Sequence, residues 1–290
     1  MSSLKEVKSR IASVSNTRKI TQARQMISSA QLHQAQGILS KASGYKKSLD
    51  SLLFNLNCND SDVHPLMQQQ DTDTVAIVMI SSNSGMCGAF NANMIKKLSH
   101  IAGDYPKSKL LFFPIGKKIW KAVEAAGYPI GYKDNENLRP LTDKSSYNDV
   151  AELASYLMEL YQAKIIKQVE LFYYEYKSMA IQVIKKTTFL PYSIPSDLAP
   201  QKESEHREDY IFELSKGNVL GVLIPMLLKS NLYHAFIENQ TSEHAARTMA
   251  MQLATENADE LLTDLRLMYN KLRQQNITSE LLDIVGGSFA

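Results

Sequence analysis

The last fifty residues limit what this chain can fold into more than any other stretch. Met251, Ala254, Ala258, Leu261, Leu265, Met268 and Leu272 recur at intervals of three and four without a miss. On a helix that spacing draws an apolar seam along one side, and such a seam needs a partner helix. The partner at hand is the other end of the chain. There a seam runs Leu4, Val7, Ile11, Val14 and, after a gap, Leu32, Ala35, Leu39, Ala42, Leu49, Leu53 and Leu56. Ser3 and Glu6 form a capping-box pattern at its start. In the gap the seam positions hold Arg18, Thr21, Gln25 and Ser28, while a second stripe appears at Ile20, Ala23, Ile27 and Ala30. The apolar face is therefore expected to rotate around the helix there, so that the helix meets different neighbours along its length.

Charge agrees with a pairing of the ends. Residues 1–57 carry a net +7 and residues 240–290 a net −3, while the whole chain is +2. Exposed ion pairs contribute only about 0–1 kcal/mol each, so charge selects the partner more than it stabilises the pair. A net charge this small gives no argument for nucleic-acid or membrane affinity. No run approaches eighteen apolar residues, so no bilayer span is expected. The charged start, Met1 to Lys8, has no signal-peptide core. Cys58 and Cys87 give no disulfide framework and suit a reducing compartment.

The middle of the chain changes period. Thr74–Ile80 reads as a fully buried strand, 91–102 as a helix, Lys109–Ile115 as a strand, and 116–126 and 147–163 as helices. Residues 169–176 read as a strand, 181–189 as a further strand and 210–214 as an edge strand. Alternating strands and helices predict an open α/β sheet. The expected fold is an α/β insert domain plus a long two-helix coiled coil formed by the N- and C-terminal helices. Its parts are an N-terminal helix at 1–57, a connection at 58–73, the α/β domain at 74–214 and a C-terminal helix at 215–287. Pro225 should kink or break that last helix, and Gly286-Gly287 should end it.

Chemistry is sparse. Gly85-Met-Cys-Gly88 follows a strand and precedes a helix, where phosphates bind in doubly wound sheets. It lacks both the third glycine of a dinucleotide turn and the Gly-Lys-Ser/Thr of a P-loop, and reads as a tight turn. Cys87 has no histidine that sequence can place beside it as a base. His234 and His244 lack metal-ligand spacing, and His206 lies in an acidic loop. No catalytic, metal or cofactor site is expected. After Leu272 the register is interrupted by Gln275 and Ser279, leaving Leu281, Leu282, Ile284, Val285 and Phe289 in need of a sleeve of other protein. Two other classes fit the pattern less fully: a coiled-coil adaptor whose α/β insert binds a ligand, and a small α/β enzyme with helical arms using Cys87.

Residues 242–287, SEHAARTMAMQLATENADELLTDLRLMYNKLRQQNITSELLDIVGG, closely resemble the C-terminal signature of the gamma subunits of F-type ATP synthases. The N-terminal stretch resembles the family's other signature, with its core at Ile11 to Thr21, and Ser81 to Asn91 resembles its Asp-Arg-Gly-Leu-Cys-Gly-Gly motif. The resemblance implies a noncatalytic rotor, its terminal helices wound as an antiparallel coiled coil inside a ring of alpha and beta subunits. The α/β domain would stand against the epsilon subunit and the membrane-embedded c-ring, on the cytoplasmic face of a bacterial inner membrane, with membrane association only through the complex. Proton flow would turn the ring and shaft, and ATP chemistry would belong to the beta subunits. By position, Arg247, Gln274, Thr278 and Glu280 match residues that contact the catalytic ring. Asp283 and Val285 lie in the tip's bearing, and Arg24 and Met26 in the coupling segment. Arg24 stands where the family usually has Met, and Gln22 where it often has Lys. Asn83 and Ser84 replace Asp-Arg and Ala89 the second Gly, so the usual ion pair of that turn is not expected.

Overall fold

A run with no polar break suits a strand covered on both faces, and residues 75–80 supply one at the centre of this sheet. In the computed structural model, which describes residues 4–56, 64–105, 109–131, 141–142, 145–193 and 216–288, β1 (Thr74–Ile80) is buried from its second residue onward. β1 pairs in parallel with β2 (Lys109–Ile115) on one side and with β3 (Gln168–Tyr176) on the other. β4 (Gln182–Leu190) closes the sheet antiparallel to β3, giving the order β2-β1-β3-β4. Two long helices flank the series, α1 (Leu4–Asn55) and α5 (Lys216–Ser288). Between them α2 (Phe90–Asp104), α3 (Lys117–Ala125) and α4 (Tyr147–Gln162) supply the crossovers that parallel neighbours demand. The capping box of α4 is complete, with Ser146 and Asp149 satisfying each other's amides.

Packing divides the chain into two units, residues 1–30 with 247–290, and residues 31–246. In the second unit, Leu49, Leu53 and Leu56 from the α1 end and Leu223, Ile224, Leu227 and Leu228 of α5 join the sheet in one apolar core. Composition and length alone would let α5 cross a membrane, but its most apolar stretch belongs to this core.

Two expectations about α5 need correction. The helix is not broken at Pro225 but runs on through it, with the buried Ile224, Leu227 and Leu228 around it holding the backbone helical despite the missing amide. Gly286-Gly287 do not stop it either, since the helix runs on to Ser288. The expected strand at 210–214, the Ser3 cap, Cys58, His206 and Phe289 lie outside the described residues.

The turn after β1 is held by neutral hydrogen bonds. Ser82 Oγ lies 2.6 Å from the Ser84 carbonyl and 2.9 Å from Asn91 Oδ1. Asn91 Nδ2 donates to Cys87 Sγ at 3.0 Å, and the Lys117 amide donates to Asn83 Oδ1 at 3.0 Å. Cys87 is a buried free thiol woven into this turn. Opposite it, Gly116 sits at φ +99°, where a Cβ would fall 2.4 Å from the Ser81 carbonyl oxygen. Only glycine lets the two turns approach so closely.

Candidate functional site

Unit 1 consists of the first part of α1 and the last part of α5, and its register can be read from two contacts. Thr21 Oγ1 lies 2.8 Å from Thr255 Oγ1, and Arg18 Nε lies 2.5 Å from Asp259 Oδ1. Moving down α1 from 21 to 18 moves up α5 from 255 to 259, so the helices are antiparallel. Carried back to Leu4, the same register reaches Leu272. There the described part of α1 ends, and residues 273–285 are all exposed.

The seam differs from the sequence reading on both helices. On α1 the buried and half-buried positions include Leu4, Val7, Ile11, Val14, Arg18, Thr21, Gln25 and Ser28, an unbroken heptad pattern. Ser28 is 1% exposed, whereas Ile20 and Ile27 of the second stripe are 63% and 60% exposed. The face therefore does not rotate; it stays in place and turns polar. On α5 the seam runs Met251, Thr255, Ala258, Leu262, Leu265, Tyr269 and Leu272. It shares every second position with the expected one, but Leu261 and Met268 point outward at 47% and 44% exposure.

Hydroxyls close the polar stretch. Thr21 Oγ1 also lies 2.9 Å from the Arg18 carbonyl, and Thr255 Oγ1 lies 2.8 Å from the Met251 carbonyl. The two hydroxyl protons can fill only two of these three contacts at a time. One hydroxyl donates across the helix pair while the other donates back to its own helix. That arrangement fixes the register more narrowly than sliding apolar contacts do.

The outward surface of unit 1 mixes charged residues with several large apolar ones. Ile20, Met26 and Ile27 are exposed on α1, and Leu253, Leu261 and Leu267 on α5. The bare end adds Leu281, Leu282, Ile284 and Val285, with Ile284 at 69% exposure. The four gathered on the bare end suit an interaction site.

The residues singled out from sequence fall into three places. Met26 is exposed and Arg24 half-buried, both close to Ile20 and Ile27 along α1. Gln274, Thr278, Glu280, Asp283 and Val285 are exposed on the bare end of α5, where the Thr278 hydroxyl donates to the Gln274 carbonyl of its own helix at 2.9 Å. Arg247 is apart from them, buried at 5% exposure. Sequence does not reveal this, because an arginine next to a seam looks the same whether it lies inside or outside.

Sequence reasoning also misses a buried polar cluster in unit 2. His234 Nε2 lies 3.0 Å from Ser43 Oγ, and its Nδ1 lies 3.6 Å from Glu238 Oε2. Burial, reinforced by the cations Lys46 and Lys185, lowers the His234 pKa to about 4. Burial raises that of Glu238 to about 7, against the pull of Lys185 and Lys46. The cost of burying charge outweighs the attraction between the partners, so between those two values both are held neutral. The i, i+4 spacing of His234 and Glu238 is visible in the sequence; their burial is not.

An α/β unit, a helix pair with a polar joint and a helix end left bare define an assembly subunit, a protein whose outer apolar surfaces belong to partners. The comparisons with known proteins agree. A family model described as ATP synthase matches residues 3–290. A chain named ATP synthase gamma chain from Bacteroides thetaiotaomicron is 44% identical, with 99% of each chain covered. Its namesake from Bacteroides fragilis is 45% identical with full coverage of both. Among solved structures, a chain of the Euglena gracilis mitochondrial ATP synthase with OSCP, F1 and c-ring matches the fold at a TM-score of 0.60 and 18% identity, covering 99% of this chain and 93% of that one. The chain belongs to the ATP synthase gamma-chain family.

Proposed function

We propose that the chain is the central-stalk rotor of a proton-translocating F-type ATP synthase. Its partners are the alpha and beta subunits of the catalytic hexamer, the epsilon subunit and the c-ring. It couples rotation of the c-ring to conformational change in the catalytic beta subunits and carries out no ATP chemistry itself. It sits on the cytoplasmic face of a bacterial inner membrane and touches the membrane only through the complex. The observation that carries this reading is the bare end of α5. Sixteen helical residues past Leu272 keep their leucines and isoleucines in solvent, which suits a tip turning in an apolar sleeve.

In this reading Asp283 and Val285 lie in the bearing of the tip, and Gln274, Thr278 and Glu280 face the catalytic ring just below it. Arg24 and Met26, near the apolar outer stripe of α1, meet the lower beta domains. Arg247, being buried, acts within the chain's own packing. The constant seam moves the source of asymmetry. The three catalytic sites would be distinguished by the outer faces, apolar Ile20 and Ile27 on one helix and Leu261 and Met268 on the other, and by the single helix beyond Leu272.

Affinity purification of the full chain from its native membrane tests the proposal. Recovery together with alpha and beta subunits and ATPase activity is expected. A chain that isolates alone with its own turnover, abolished by Cys87→Ala, would replace the rotor with an enzyme. An ordered tip at residues 276–290 without companions would favour an adaptor, whereas the tip of a rotor should fray there. Arg24→Met in the assembled complex should change the ratio of proton pumping to ATP hydrolysis, and an unchanged ratio removes Arg24 from the coupling segment.

A further inference from the structure

A rotor must bind its sheet to its shaft firmly enough that neither turns without the other. Within unit 2 the sheet meets α5 at Tyr174 of β3, all of whose polar groups are engaged. Its amide donates to Asn239 Oδ1 at 3.1 Å. Its carbonyl accepts from the Ser242 hydroxyl at 3.2 Å. Its phenol donates to the Phe90 carbonyl at 2.7 Å, and its ring stacks on Phe90 at a centroid distance of 4.1 Å.

The position of Tyr174 explains why side chains do this. The β1–β3 ladder ends at Met79 and Phe172, while the β3–β4 ladder continues to Tyr176 and Gln182. Past Phe172 the side of β3 that faced β1 has no strand beside it, and the backbone groups pointing there need other partners. Asn239 and Ser242, one helical turn apart on α5 and almost wholly buried, stand in for the missing strand. An acceptor and a donor three residues apart on a helix meet the amide and carbonyl of one strand residue. Apolar packing is non-directional, whereas two directed bonds to a single residue specify one register between helix and strand. We propose that Asn239 and Ser242 are positioning residues that key α5 to the sheet, so that torque passes between them without slip. This inference rests on the rotor reading above.

The test uses the full complex in inverted membrane vesicles, measuring protons pumped per ATP hydrolysed. Asn239→Leu keeps size and does not weaken the helix but removes the acceptor. It should retain ATP hydrolysis while the pumping ratio falls, because the equilibrium between keyed and slipped states shifts about fivefold with one lost buried hydrogen bond. Asn239→Asp, which still offers an oxygen to the Tyr174 amide, should restore most of the ratio. Ser242→Ala, the mildest change, should lower it about twofold and decides the question if Asn239→Leu fails to assemble. Thr241→Val is the control. Thr241 is buried in the same turn but donates to the Ile237 carbonyl of its own helix at 2.9 Å, so its variant should leave the ratio unchanged. A lowered melting temperature with an unchanged ratio in the Asn239 and Ser242 variants would overturn the key and leave only a structural role. The same follows if Asn239→Asp is as poor as Asn239→Leu. If the unsubstituted chain is absent from the vesicle ATPase, the rotor reading fails first and takes this proposal with it.

Discussion

Leu227 and Leu282 lie on the same helix, yet the first is fully buried and the second is 66% exposed. Around Leu227, α5 is part of the core that holds the sheet. Around Leu282 it has no neighbour from the described part of α1. The same residue type thus serves two purposes, cohesion of the chain in unit 2 and recognition of other chains in unit 1. The two ends of α5 should respond to substitution in opposite ways.

The largest expected effect tests that contrast directly. Leu227→Ala should destabilise the chain by about 2–5 kcal/mol, the cost of lost burial plus the cavity left behind. Leu282→Ala should change it by no more than about 0.5 kcal/mol, because a surface substitution away from packing features does little. Urea unfolding of the purified chain measures both. Equal costs would show that the tip packs on its own chain and would remove the argument for a sleeve. In the assembled complex the ranking should invert for retention of the alpha and beta subunits, where Leu282→Ala is the damaging change.

The contrast also marks where sequence is a good guide. Continuous apolar runs such as Val75 to Ile80 have one physical outcome, a buried strand, and are legible. So are the two long helices and the point after Leu272 where pairing ends. The seam itself is not. Periodicity is carried by apolar residues, but on a shaft made to touch partners apolar side chains also face outward. Leu261 and Met268 keep the three-four rhythm from the wrong side, while Thr255 and Tyr269 fill the true seam. Arg18, Thr21, Gln25 and Ser28 look like a lost register for the same reason, since polar seam residues cannot be told from surface ones until the partner helix is in place. The key at Tyr174 is illegible for a different reason. Its partners on α5 are 65 and 68 residues away along the chain, and the need for them arises only because β1 ends early.

A second prediction concerns the buried pair in unit 2, which has no counterpart on the bare end. Glu238, with its pKa raised to about 7, keeps a proton in the folded chain that the unfolded chain loses above its ordinary value. Its contribution is fully present at low pH and is lost as pH rises toward 7. His234, lowered to about 4, refuses a proton that the unfolded chain takes up below 6.5, so its contribution is lost as pH falls from 6.5 to 4. Between about pH 4.5 and 6.5 the two slopes cancel. His234→Gln should uncover the glutamate alone, so that stability falls as pH rises through this window, by at most about 1.4 kcal/mol per pH unit. Glu238→Gln should uncover the histidine and reverse the sign. Unfolding free energies at three pH values decide it, and two parallel variant profiles would refute the pairing.

The smallest effect lies in the polar joint of unit 1, where the comparison is between hydroxyls and the apolar seam on either side. Thr21→Val leaves Thr255 without its cross-helix partner, and Thr255→Val does the reverse. Each single change should cost about 1 kcal/mol, because a half-buried hydroxyl contact is lost. The double variant replaces two hydroxyls by two methyls of the same shape, and its cost should be smaller than the sum of the singles, near zero. Stability would then be recovered while the directed contact that fixes the register is gone. Register can be read separately by placing cysteines at the exposed Ala23 and at Leu253 or Asn257, also exposed, and comparing which pair oxidises faster in each background. In the parent chain the threonines should confine disulfide formation to one pair. In the double valine variant, equally stable, the two pairs should form at closer rates, because neighbouring apolar registers differ less in energy than hydrogen-bonded ones. If the preference survives unchanged, the apolar stretches on either side set the register by themselves, and the threonines serve only to fill the seam.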